Sequence, residues 1–107
     1  MNQIHTIEAF KETIRDHQLV LTYISGTNCG VCSSIKPKIQ EILNRQPALY
    51  PVEINSHEDQ ELAAQLSVFT IPAVLVHAQG KESIREARYF SLVDLEQQIE
   101  RLVGFFQ

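Results

Sequence analysis

The sequence predicts an α/β sandwich with a mixed β-sheet. Three observations lead there. Apolar runs of strand length occur at 19–25 and 71–78, stretches of helical period lie around and between them, and a glycine turn at 79–81 sends one strand back antiparallel to another.

The elements follow in order. Ile4, Ile7, Phe10 and Ile14 recur every three or four positions, which predicts an amphipathic helix from about Thr6 to His17 with Thr6 as its N-cap. LVLTYIS at 19–25 is β-branched and almost wholly apolar, the pattern of a central strand buried on both faces. A short polar loop, Gly26 to Asn28, hands over to a second helical stretch in which Cys32, Ile35, Ile39, Ile42 and Leu43 share a face. Pro37 lies inside it, where it removes a donor and crowds the carbonyl four residues earlier, so a kink is expected. A second strand is predicted over Leu49 to Asn55, and Pro51 favours a place for it at or near the sheet edge. EDQELAAQLS at 58–67 reads as a short helix presenting Leu62, Ala63 and Leu66. IPAVLVHA at 71–78 is another buried strand, Gln79-Gly80-Lys81 the turn, and 82–90 its antiparallel partner. Leu92, Leu95, Ile99, Leu102 and Phe106 give a closing helix capped by Ser91.

At 107 residues the chain suits one domain spanning 1–107, since a second core needs roughly another 100 residues. With 44% hydrophobic and 21% charged residues it resembles soluble folded proteins rather than disordered ones. A net charge of −4 argues against nucleic acid as a partner, because phosphate-binding surfaces are basic. No apolar run approaches the ~20 residues of a membrane span, and the opening residues lack a signal-peptide pattern, so a cytoplasmic protein without a membrane partner is expected.

The only two cysteines, Cys29 and Cys32, sit in NCGVC at the junction of the buried strand and the second helix. In a reducing compartment such a pair points to exchange chemistry or metal binding before a structural staple. Exchange needs a thiolate to attack a disulfide and a second thiol near enough to resolve the mixed disulfide. If Cys29 precedes the first helical turn, free N–H groups and the positive helix end favour its anion, which makes it the attacker. Cys32 then falls one turn inside, shielded, as the resolving thiol. A structural zinc site needs four ligands; no third cysteine exists, and His5, His17, His57 and His77 show no paired spacing. An iron–sulfur cluster shared by two copies and a pair of inert packing cysteines remain as alternatives. No metal and no cofactor are expected.

Over nearly its whole length the chain resembles the thioredoxin family. The resemblance rests on CGVC after a buried strand, Pro37 five positions beyond the second cysteine, Thr70-Ile71-Pro72 before the next strand, the Gly80 hairpin and the final amphipathic helix. It implies a thioredoxin-like three-layer sandwich, a central mixed β-sheet flanked by helices. In it the strand at 19–25 lies between those at 49–55 and 72–78, and any first strand is reduced to about residues 2–5. It further implies a cis peptide bond before Pro72, beside the disulfide, and an extended substrate pairing with the backbone of Ile71. Thr70, Ile71, Pro72, Gly30, Val31 and Arg88 are thereby expected to shape the substrate groove. Partners would be a disulfide-bearing protein or low-molecular-weight thiol, with a thioredoxin-reductase-like electron donor, and the chain would be a monomer.

The chain departs from the family at several places. Asn28 replaces a tryptophan and Val31 a proline. The family's buried aspartate aligns with Tyr23, its nearby lysine with Pro51 and a loop glycine with Arg88. A tyrosine is a poor base at neutral pH, so Tyr23 is expected to pack with its hydroxyl on a partner, and resolution to be slower or to use water. Arg88 adds a bulky positive charge to the docking surface, which would favour small anionic disulfides. Two readings result: a thiol–disulfide oxidoreductase, favoured by retention of both cysteines, and a thioredoxin-fold binding module that uses the groove beside Pro72 with little redox activity, favoured a little by loss of the aspartate.

Overall fold

A computed structural model describes residues 1–107. In chain order the elements are β1 (Asn2–Gln3), α1 (Ile7–Asp16), β2 (Leu19–Ser25), α2 (Gly30–Arg45), β3 (Tyr50–Asn55), α3 (Gln60–Gln65), β4 (Ala73–Ala78), β5 (Lys81–Ala87) and α4 (Leu92–Phe105). The five strands form one mixed sheet in the order β1-β3-β2-β4-β5, with β2 parallel to β3 and antiparallel to β4. This is the thioredoxin-like α/β architecture that the sequence predicts, with β2 at its centre.

Alternation along β2 sorts its side chains between two cores. Leu19, Leu21 and Tyr23 face Ile39 and Ile42 of α2 and Leu95, Ile99 and Val103 of α4. Val20 and Ile24 face Phe10 of α1 and Leu62 of α3. Both sheet faces are therefore dry, and β2 carries no exposed residue. Thr6 and Ser91 cap α1 and α4 as expected, their hydroxyls accepting from Ala9 and Asp94 N–H at 3.1 Å. Each such cap contributes about 1 kcal/mol.

Some boundaries shift for local reasons. α3 starts at Gln60 rather than 58 because the Asn55 side chain accepts from the N–H groups of His57 and Glu58 and holds that stretch as a turn. β5 ends at Ala87, where Arg88 enters the left-handed region and sends its N–H to the Pro72 carbonyl at 2.7 Å. The hairpin turn uses Gln79 and Gly80, both with positive φ, which matches the twist of the flanking strands. α2 runs through Pro37 without ending.

Pro51 lies near the edge, one strand in. β3 is flanked outside by the two-residue β1. The carbonyls of Pro51 and Glu53 both accept from this side, from the Asn2 amide at 2.9 Å and the Ile4 N–H at 3.2 Å. A strand residue points its nitrogen and its carbonyl the same way, so the donor that proline lacks is missing from the short side, not from the central ladder.

On the α1 side of the sheet His77 is buried edge-on against Phe10, with ring centroids 5.3 Å apart, and its Nδ1 finds no partner. Burial pushes its pKa down, Glu82 opposes that shift and Arg85 adds to it. The unfolded chain takes up a proton at residue 77 near the ordinary value of about 6.5, where the folded chain resists it. Stability is thus whole above that pH and declines as pH falls toward the folded value, by up to ~1.4 kcal/mol per pH unit. Urea unfolding between pH 7.5 and 5 should show this slope, and His77→Val should flatten it; equal slopes in both proteins would remove His77 as its source.

Candidate active site

The site is built where β2 delivers the chain to α2. Cys29 is the N-cap of α2, half-buried, with extended backbone. Its sulfur accepts from the Cys32 N–H at 3.2 Å. Cys32 lies one turn inside and is buried, and the two cysteines are joined as a disulfide, their Cα atoms 5.2 Å apart. In the reduced form the same N–H and the helix N-terminus would face a Cys29 thiolate, and no acidic residue in the first turn opposes it. Gly30 and Val31, between the cysteines, are exposed.

Tyr23 holds the start of this helix from below. Its hydroxyl, on the buried central strand, donates to the Cys32 carbonyl at 2.6 Å. Burial, with a smaller contribution from the Glu53 carboxylate, pushes its pKa up to about 12, so it stays protonated at neutral pH and is no base. The register places Glu53 opposite Tyr23, and Pro51 opposite Leu21. The strand position beside Tyr23 therefore belongs to Glu53, which corrects the expectation that Pro51 stands there. Glu53 in turn meets Lys36 of α2 at 2.9 Å.

The rim is made by three loops. Gly26 permits a close approach: a Cβ there would lie 2.6 Å from Ile71 Cδ1 and 2.7 Å from His57 Cε1, so these side chains would have to shift. The next residue, Thr27, donates its N–H to His57 Nδ1 at 2.9 Å. Asn28, where the family has tryptophan, takes φ +57°, a conformation asparagine tolerates better than most residues. The Ile71–Pro72 bond is cis; Pro72 is buried, Ile71 half-buried and Thr70 exposed. Across the site Arg88 adopts φ +57°, the region glycine enters freely. No three His, Cys, Asp or Glu side chains converge in a way that could hold a metal ion.

The thioredoxin family model matches residues 2–101. The chain belongs to the thioredoxin family. It is 31% identical over 107 residues to the thioredoxin-like protein YdfQ of Bacillus subtilis, covering all of this chain and 96% of that protein. Thioredoxin-1 of Saccharomyces cerevisiae is 27% identical over 82 residues, 77% of this chain and 80% of that one. In fold the chain is similar to the thioredoxin of Fasciola hepatica, with a TM-score of 0.85 at 23% identity over 94% of this chain and 98% of that one. Family and CxxC pair together make this thioredoxin-family protein a thiol–disulfide oxidoreductase.

The structure brings Cys29, Cys32, Gly30 and Val31 together at the start of α2 and sets the cis bond at Ile71–Pro72 in the loop before β4. Sequence reasoning passed over Glu53, Lys36 and His57. The signal for Glu53 was its period-2 position opposite Val52 and Ile54, which turns it toward α2. For His57 there was none, because its partner Thr27 is 30 residues away. If Tyr23 serves as a prop and not as a base, Tyr23→Phe should keep the exchange rate while lowering stability by about 1 kcal/mol, the net worth of one hydrogen bond. Urea unfolding and disulfide turnover on the same preparation check this; loss of turnover without loss of stability would contradict it.

Proposed function

We propose that the chain performs dithiol–disulfide exchange with Cys29 as attacking and Cys32 as resolving group. The observation that supports these roles is the Cys32 N–H directed at the Cys29 sulfur where α2 begins. The Cys29 thiolate attacks one sulfur of a substrate disulfide; that S–S bond breaks, and the first substrate sulfur leaves as a thiolate that takes a proton from water. Cys32 then gives up its proton to water, and its sulfur attacks Cys29, releasing the second substrate thiolate and closing the Cys29–Cys32 disulfide. The second thiolate is protonated in turn, so the substrate gains two electrons and two protons; the chain gives up both electrons and the Cys32 proton, and water supplies the difference. A dithiol donor such as a thioredoxin-reductase-like partner must return the electrons.

Gly30, Val31, Thr70, Ile71 and Pro72 would line the groove, with the extended substrate paired to the backbone of Ile71 and Arg88 at its far rim. Substrates are disulfides of proteins or of low-molecular-weight thiols, handled in the cytoplasm by a monomer as part of redox homeostasis. No helix is long and apolar enough to cross a membrane. A second reading, a binding module on the same groove, draws its support from Tyr23, which supplies no base beneath the cysteines.

Cys29→Ser should reduce turnover of a disulfide substrate to the uncatalysed background. Cys32→Ser should accumulate a mixed disulfide between Cys29 and the natural substrate, seen as a reductant-sensitive band and identified by mass spectrometry. Full turnover by Cys29→Ser would reject the mechanism, and partner capture independent of both thiols would favour the binding module.

A further inference from the structure

We propose that the groove walled by Val31, Ile35, Lys38, Arg88, Tyr89 and Phe90 receives an acidic segment of a protein substrate next to its reacting cysteine. This rests on the oxidoreductase reading of Cys29 and Cys32. The groove is open, about 510 Å³, and begins at Val31, the residue just before Cys32. α2 supplies one wall and the loop between β5 and α4 the other.

Its charge is unlike that of the molecule around it. The chain has 13 acidic and 9 basic residues, yet the groove is lined by Lys38 and Arg88 and by no acidic side chain. Neither cation forms an ion pair within the chain, whereas Lys36, Arg45 and Arg85 are paired to Glu53, Glu96 and Glu82. Arg88 is also placed: its N–H is tied to the Pro72 carbonyl at 2.7 Å, and its guanidinium lies 5.0 Å from the centre of the Tyr89 ring.

The apolar part of the wall selects the kind of ligand. Val31 is 53% exposed and Tyr89 82%, and they continue the groove outward as an apolar rim. A small charged thiol would leave that rim uncovered. A peptide segment can set an aliphatic residue on Val31 and Ile35 while a neighbouring carboxylate reaches Lys38 and Arg88. Lys38 thereby joins Arg88 as a specificity-determining residue.

The test compares kcat/KM of the full chain for peptide disulfides that differ only in a Glu, Gln or Lys within three residues of the cysteine, on its N-terminal and C-terminal sides separately. Uncharged 2-hydroxyethyl disulfide and glutathione disulfide serve as further substrates. The Glu peptide should exceed the Lys peptide by about fivefold on at least one side, and the ratio should shrink in 0.5 M salt, where screening is short-ranged. Lys38→Gln combined with Arg88→Gly, a change the left-handed backbone at 88 accepts, should bring the ratio close to one; because it is taken within one protein, partial loss of folded material cancels. Turnover of 2-hydroxyethyl disulfide with equal Glu and Lys rates on both sides would overturn the proposal alone. Glutathione disulfide outpacing every acidic peptide would overturn it in favour of a small thiol. No turnover of any disulfide would overturn the oxidoreductase reading beneath it.

Discussion

The whole site depends on one backbone N–H, that of Cys32, being aimed at the sulfur of Cys29 over 3.2 Å. That contact exists because α2 begins at Gly30 and makes Cys29 its cap, a place usually held by an oxygen-bearing side chain. A sulfur there is a weak acceptor as a thiol and a good one as an anion, so the geometry favours charge on Cys29 in the reduced state. The start of the helix is fixed in turn by β2, which is buried on both faces and carries Tyr23 under the Cys32 carbonyl. Fold stability and thiol chemistry share that strand.

The rim around the sulfurs is held by contacts from distant parts of the chain. Asn28 and Arg88 both occupy the left-handed region, at a cost of about 1 kcal/mol each for residues other than glycine. Arg88 is kept there by its bond to Pro72, and the loop before Asn28 by the bond from Thr27 to His57. Gly26 lets Ile71 and His57 close on that loop, since any side chain would collide with both. The loop before the cysteines thus rests on the Ile71 and His57 side chains, and the turn after β5 on the Pro72 carbonyl, so that both meet the cis-proline loop.

Charge is divided by depth. Beside Tyr23 the Glu53 carboxylate is paired with Lys36, so the strand position next to that hydroxyl carries an ion pair rather than a lone carboxylate. Outside, Lys38 and Arg88 have no internal partner and face the groove. The same helix supplies both lysines, two positions apart, one turned to the sheet and the other to solvent.

Much was legible in the sequence, because the signals were local and periodic. The nearly all-apolar, β-branched run at 19–25 pointed to a central strand, three- and four-residue spacing gave the helices, and the junction of the two placed the cysteine pair. Element ends were less legible: the Asn55 side chain delays α3 and the Pro72 carbonyl ends β5, and neither acceptor shows in a hydrophobic pattern. Lys38 and Arg88, 50 positions apart, share a groove only because α2 and the β5–α4 loop pack on the same side of the sheet. The neighbour of Tyr23 was decided by strand register, which a proline in the sequence could not reveal: a shift of two residues exchanges Pro51 for Glu53 without disturbing the alternation of Val52 and Ile54. Sequence alone therefore determined where the cysteine pair sits and on what fold, since those depend on neighbours along the chain; tertiary structure decided what surrounds the pair, since that depends on which strands and loops meet.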